Sequence, residues 1–269
     1  MKKTLYASLF LLFIVLQKTA AQQVTGILGA FPPELVLLQS KMENKRDTLI
    51  MQVKFVRGTL SGKPVVLAQT GIGKVNAAVA TALMIEHFKP REIVFSGIAG
   101  GIDPALSPGD IVIGTEVTYH DFGTVTDSAM VYRPTANPFN MQENPLAFAC
   151  DPALVARAIK ASRGLSLEKI VRENGSFEPL VREGVIVTGD VFVSSENATA
   201  RLQKDLHAAA TEMEGAAIAQ TCYQYHTPFL IIRSMSDKAN SKAKNDMMAF
   251  YQTAAKNAAV LVMAVVGSL

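Results

Sequence analysis

Three carboxylates and one guanidinium stand where acid/base chemistry is possible. Glu34 follows the apolar run from Val24 to Ala30 and the pair Pro32-Pro33, which suits the first turn of a helix. A carboxylate there either complements the positive helix end or reaches over the strand end and takes a proton from water. Glu212-Met213-Glu214 opens a second helix, where two acids again suit the dipole. Glu214 has two oxygens and can accept two hydrogen bonds from neighbouring hydroxyls, as sugar diols require. Arg233-Ser234-Met235-Ser236-Asp237 follows the apolar strand from Phe229 to Ile232. The arginine and Asp237 either close the strand end as an ion pair or make Asp237 a proton donor to a leaving group. The second role needs a raised pKa, which a partly apolar pocket provides. Three carboxylates converging on a small polar ligand suit hydrolysis of a sugar-type bond.

Other motifs exclude competing chemistries. Gly71-Ile72-Gly73-Lys74 is not a triphosphate loop, because Ala68 stands five before Gly73 and Val75 follows the lysine. It is not a dinucleotide fingerprint either, because Asn76 holds the third glycine's place. The segment reads as a tight turn or as a loop that helps wall a site. His120-Asp121 are neighbours in sequence and do not suit a catalytic triad, and the chain has no G-x-S-x-G elbow. Cys150 and Cys222 have no zinc spacing and read as two buried thiols, with their pairing left open. Neither a metal nor a cofactor is expected.

The elements that position these residues alternate strand and helix. Strands are predicted over 24–30, 52–58, 64–69, 92–96, 111–117, 185–188 and 229–233. Helices are predicted from Pro32, from Asn76 as a cap to His87, from Asp151-Pro152 to Arg163, over 214–225 and over 246–266. Gly97-Ile98-Ala99-Gly100-Gly101 reads as a second glycine-rich loop, and residues near 173–178 as a turn. The irregular stretch 119–144 is long for a plain connection and is a candidate binding loop. An α/β fold follows, with helices on both faces of an open, parallel or mixed sheet and a site where strands end.

Composition agrees with one such domain. The 269 residues are 49% hydrophobic and 18% charged, which supplies a large core and excludes a disordered chain. Trp 0 and an aromatic share of 7% argue against a stacking surface for single-stranded nucleic acid. The net charge of +3 resides in Lys2, Lys3 and Lys18; without residues 1–21, Lys+Arg falls from 26 to 23, against Asp+Glu 23. A neutral chain has nothing to drive counterion release from DNA or RNA. Residues 1–21 combine Met1-Lys2-Lys3, an apolar run from Leu5 to Leu16 and the small residues Thr19-Ala20-Ala21. The run is shorter than the ~20 residues that span a bilayer. It reads as a secretory signal cleaved near Ala21 or Gln22, with an uncleaved anchor as the alternative. An exported protein is expected, periplasmic or secreted, with no membrane attachment after cleavage and no later membrane span.

In order and spacing, several segments resemble one family. They are Gly26-Ile27-Leu28-Gly29-Ala30 with Glu34, Gly71 to Ala78, Ala99-Gly100-Gly101, Pro108 to Val112 and Tyr119-His120-Asp121. Gly189-Asp190-Val191-Phe192-Val193, Glu212 to Ala216 and Arg233 to Asp237 complete the set. The chain is similar to 5′-methylthioadenosine/S-adenosylhomocysteine nucleosidases of the nucleoside phosphorylase superfamily, from Gly26 to the C-terminal helix. The resemblance implies a three-layer α/β/α catalytic domain over 22–269 with a central mixed sheet, a homodimer, and no metal or redox cofactor. It also implies hydrolysis of an adenosine-type nucleoside to release adenine. Glu34 falls on the base that activates water, and Asp237 on the acid that protonates N7 of the purine. Glu214 falls on the residue that holds the ribose hydroxyls, and Met213 on the sugar-pocket wall. Phe192 falls on the aromatic that stacks on the purine, Val193 on the backbone that reads its edge, and Arg233 on a positive group near water and ribose. Ala99 and Gly100 fall in the substrate pocket. Ile98 stands where the family usually carries Ser, which replaces a hydroxyl by an aliphatic group.

A phosphorylase must hold phosphate with cationic side chains and backbone donors. Residues 29–40 contain no Arg or Lys, and Glu34 repels an anion beside it, which favours hydrolysis. Lys74 and Arg233 keep the phosphorolytic alternative open. A nucleoside-binding protein without turnover is the third reading.

Overall fold

The computed structural model describes residues 23–172 and 175–269; the segment read as a signal, residues 1–21, lies outside them. The fully buried strand β1 (Thr25–Gly29) feeds α1 (Pro32–Lys41), whose first turn carries the two prolines. A meander follows: β2 (Glu43–Ile50), β3 (Val53–Leu60) and β4 (Lys63–Gln69). Next come α2 (Lys74–Phe88), β5 (Glu92–Gly101) and β6 (Ile111–Tyr119). The irregular stretch holds β7 (Gly123–Val125) and β8 (Met130–Tyr132) as a small hairpin, and β9 (Ala147–Ala149) then pairs with β6. Asp151 caps α3 (Pro152–Ser162), accepting from the N–H groups of Ala153 and Leu154 at 2.9 Å. After the hairpin of β10 (Ile170–Arg172) and β11 (Gly175–Phe177), the chain runs through β12 (Val181–Thr188), α4 (Glu196–Leu206) and β13 (Ala208–Glu212). It closes with α5 (Gly215–Gln224), β14 (Phe229–Asp237) and α6 (Ala243–Ser268).

The ten-stranded sheet has the order β13-β12-β6-β14-β5-β1-β4-β3-β2, with β9 beside β6. It is mixed, as expected: β1, β4, β5 and β14 pair in parallel, while β6 runs antiparallel to β14. Helices α1 and α3 pack on α6, and α2 packs on α5, giving the helical layers on the two sides of the sheet. The buried small residues Ala216, Ala217 and Ala219 let α5 lie close to its neighbours. By length and composition α6 is long and apolar enough to cross a membrane, contrary to the expectation that no later segment is. Half of its apolar window is buried, against β14, β5, α1 and α3, so it serves as the domain's core helix.

Several boundaries differ from expectation. The glycine-rich stretch Gly97–Gly101 is not a loop but the second half of β5, and Arg233–Asp237 continues β14 instead of following it. Asn76 does not cap α2; the helix starts at Lys74, and the Asn76 side chain donates back to the Ile72 carbonyl at 2.7 Å. The expected turn near 173–178 includes a strand of the β10–β11 hairpin. Strands β2 and β13 and helix α4 were not anticipated. β2 is exposed along almost its whole length, with Glu43, Lys45, Arg46 and Asp47 guarding the sheet edge.

Candidate active site

Two departures from a regular sheet build the site. First, β13 pairs on both sides: Val187↔Thr211 and Thr188↔Glu212 with β12, and Ala210↔Gly101 and Thr211↔Gly100 with the end of β5. The sheet thereby curls on itself and carries Glu212 and Glu214 toward β5 and β14. Second, β14 pairs Met235 with Ala99 and Asp237 with Gly100, leaving Ser236 as an extra residue. Such a bulge re-aims the side chains beside it.

A cavity of about 220 Å³ opens at this end of the sheet. Glu34, Ala99, Gly100, Phe192, Met213, Glu214 and Asp237 all line it. Val193 lines a smaller adjoining recess of about 30 Å³, together with Phe192, Met213 and Asp237. Arg233 is fully buried among the pocket's carboxylates, its guanidinium 3.8 Å from the Phe95 ring centre. All nine residues singled out from the sequence thus meet at one place.

The carboxylates are held by different donors. Glu34 accepts from Ala30 N–H at 2.5 Å and from Ile98 N–H at 2.9 Å, and lies 3.5 Å from Arg233 Nη1. Burial pushes its carboxyl up, against the downward pull of Arg233 and of the Ile98, Ala30 and Phe31 amides. Glu214 accepts from Gly73 N–H at 2.8 Å and lies 3.4 Å from Arg233 Nη2. Burial, followed by the charge of Glu212, pushes it up to about 8. Asp237 accepts from Ala239 N–H and from the Ser236 hydroxyl, each at 2.8 Å. Burial raises it as well, against both of those donors. Asp237 makes no ion pair with Arg233, whose partners are Glu34, Glu212 and Glu214.

Gly97 is essential to this arrangement. A Cβ there would overlap Arg233 Nη1 and lie 2.7 Å from the Glu34 carboxyl carbon. Gly71-Ile72-Gly73-Lys74 does wall the site: Ile72 lines the cavity and Gly73 holds Glu214. Lys74 Nζ turns away to Asp121, at 2.7 Å from each of its oxygens, and to Asp190 at 3.7 Å. Among the described residues, no Lys or Arg lines the cavity. Ile98 does, beside the base position at Glu34. The two cysteines are free and buried, and no described group of His, Cys, Asp and Glu has the arrangement of a metal site.

Glu212 is the residue that sequence reasoning missed. Taken as a dipole partner at a helix start, it ends a strand and lines the cavity. Phe31 and Met247 add apolar walls from α1's entry and from α6.

Residues 24–267 match the family model of the phosphorylase superfamily. The chain is 40% identical over 245 residues to the 5′-methylthioadenosine/S-adenosylhomocysteine nucleosidase of Psychromonas ingrahamii, across 91% of this chain and 98% of that one. Its structure is similar to that of the nucleosidase of the same name from Neisseria meningitidis in complex with methylthio-immucillin-A. The TM-score is 0.78 at 39% identity, covering 92% of this chain and 100% of the other. The Colwellia psychrerythraea nucleosidase, in complex with adenine, gives a TM-score of 0.78 at 38% identity, with 92% and 96% coverage.

Proposed function

This chain belongs to the 5′-methylthioadenosine/S-adenosylhomocysteine nucleosidases of the phosphorylase superfamily, and we propose that it hydrolyses the N-glycosidic bond of these two nucleosides to release adenine. One observation carries the reading: Glu34, Glu214 and Asp237 are buried around one cavity that, among the described residues, no cationic side chain lines.

The chemistry follows from those positions. The bond from C1′ to the purine breaks readily when the base leaves neutral. Asp237 gives its proton to N7 as the sugar gathers positive charge, and the raised pKa of its buried carboxyl keeps a proton available. Fixed carboxylates stabilise the charge on the sugar. Glu34 orients water, takes its proton and delivers the hydroxide equivalent to C1′. Glu214 accepts from the ribose hydroxyls, and Met213 walls the sugar. Phe192 stacks on the purine, Val193 offers backbone to the purine edge, and Ala99 and Gly100 pass beneath the ligand.

Phosphorolysis fits less well. Arg233 is surrounded by three carboxylates, nearest to Glu212, and Lys74 is held by Asp121 with Asp190 beyond, so neither is free for an anion. The protein is incubated with each nucleoside in phosphate-free buffer. Adenine and free thioribose sugar are the expected products. A phosphate requirement, with a sugar 1-phosphate formed, would replace hydrolysis by phosphorolysis. Tight binding without product would leave a nucleoside-binding protein.

Export and dimerisation belong to the same proposal. The charged-apolar-small order of residues 1–21 supports a cleaved signal and a periplasmic or secreted protein. Ile72, Val75 and Val79 are exposed at helical spacing around the start of α2, a face suited to a second copy. Cell fractionation tests the first, and sedimentation of the mature protein the second.

A further inference from the structure

Glu212 has no part in the chemistry above, yet it has the fullest set of donors among the pocket's carboxylates. One oxygen accepts from the Thr188 hydroxyl and from Gly215 N–H at 2.9 Å. The other accepts from the N–H groups of Glu214 at 3.1 Å and Gly215 at 2.8 Å, and from Nη2 of Arg233. Thr188 is itself fixed, accepting from Ala216 N–H at 2.8 Å. Glu212 is the nearest of the guanidinium's three acidic partners; Glu34 and Glu214 stand at 3.5 and 3.4 Å. Those two separations exceed the ~2.7–2.9 Å of a charge-assisted bond.

One positive charge therefore faces three buried carboxylates and makes its closest bond, through Nη2, to Glu212. The other groups near Glu212 do not alter this balance. Glu34 approaches from α1, Glu214 from the start of α5, and Tyr119 and His120 from the end of β6, where burial pushes the His120 imidazole down. Buried carboxylates without a full counter-charge retain protons. The upward displacement of both Glu34 and Glu214 agrees.

We propose that Glu212 is a positioning residue that takes up the Arg233 guanidinium, and so leaves Glu34 and Glu214 to exchange protons with substrate and water instead of standing locked in ion pairs. The kinetic arm of its test rests on the nucleosidase reading; the spectroscopic arm does not. Replacing Glu212→Gln removes the negative charge beside Glu214 and releases Arg233 toward Glu34 and Glu214. Both effects pull the two carboxyls down.

The acid limb of the kcat/KM profile, where Glu34 must lose its proton, then moves to lower pH by about one pH unit, or tenfold in proton concentration. A limb that stays in place while kcat or thermal stability falls would mark a merely structural role and overturn the proposal. Carbon-13 spectra of glutamate-labelled wild-type protein read the same property without turnover, and without depending on whether Glu212→Gln folds. The Glu34 and Glu214 carboxyls, assigned with Glu34→Gln and Glu214→Gln, are expected to titrate above their ordinary range, Glu214 near 8. Each should move when the other is replaced. Both carboxyls titrating at or below their ordinary value would overturn the proposal, whether or not adenine is released.

Discussion

Replacing Arg233→Met withdraws the guanidinium from Glu34, Glu212 and Glu214 while keeping a long apolar stem over Phe95. At an effective dielectric constant of about 20, a separation of 3.5 Å, as to Glu34, corresponds to ~5 kcal/mol of attraction before desolvation is counted. Measured net losses on breaking buried pairs are about 3–5 kcal/mol, because the stranded charge stays buried. The loss depends on pH in a definite direction. A carboxyl whose folded pKa is raised above its ordinary value binds its proton more tightly in the folded state. Its stabilising contribution is whole below that ordinary value, 4.5 for Glu34 and Glu214, and is lost as pH rises through the folded value. Without Arg233 both carboxyls rise further, so the variant's deficit grows toward alkaline pH. Unfolding midpoints of wild type and variant, measured near pH 5 and near pH 8.5, decide the matter. We expect a deficit near the ~1 kcal/mol of an ordinary substitution at the acid end, and about 10 °C of melting temperature at the other. A deficit equal at both, or larger in acid, would refute the electrostatic account of this cluster.

Asp237→Asn should lower kcat about 10²–10⁴-fold, the span of a lost general acid, while adenine still binds by calorimetry; unchanged turnover would remove Asp237 from the mechanism. Gly97→Ala places a methyl group on Arg233 Nη1 and should cost about 1–3 kcal/mol by overpacking, together with most of the activity. A variant with wild-type melting and turnover would contradict the close approach at β5. Burial pushes the Cys150 thiol up to about 12 and the Cys222 thiol higher than usual. Both should react with a disulfide reagent about 100-fold more slowly in the native than in the unfolded protein, and mass analysis of the native protein should find two free thiols.

How far the sequence reached depends on whether a signal is local. Val24 to Ala30, the prolines of α1 and the Asp151 cap carry their own instructions, and the structure follows them. The second halves of β5 and β14 do not. Gly97 to Gly101 and Arg233 to Asp237 are glycine-rich or polar because they face the cavity and the Arg233 cluster, and that requirement erases the apolar pattern of a strand. β13 opens with three alanines, which favour a helix when isolated, and becomes a strand because β12 and β5 offer it partners on both sides. Glu34, Glu214 and Asp237 were legible through strand ends and the family pattern. Glu212 was not, because its importance lies in contacts with Thr188 and Arg233, at separations of 24 and 21 residues.

The doubly paired β13 gives the pocket a strand-built frame on one side and a loop-built wall on the other. Glu212 ends a strand that is paired on both edges at Ala210 and Thr211, and Glu214 follows it at the start of α5, so neither swings aside easily. Phe192 sits in the connection 189–195, moored through the amides of Gly189, Asp190 and Ser195 at its two ends. Phe192 thereby sits on a stretch of chain separate from the elements that carry Glu34, Glu212, Glu214 and Asp237. The time a product stays bound can accordingly be retuned through residues 191–194 alone, leaving the acid and base groups where they are.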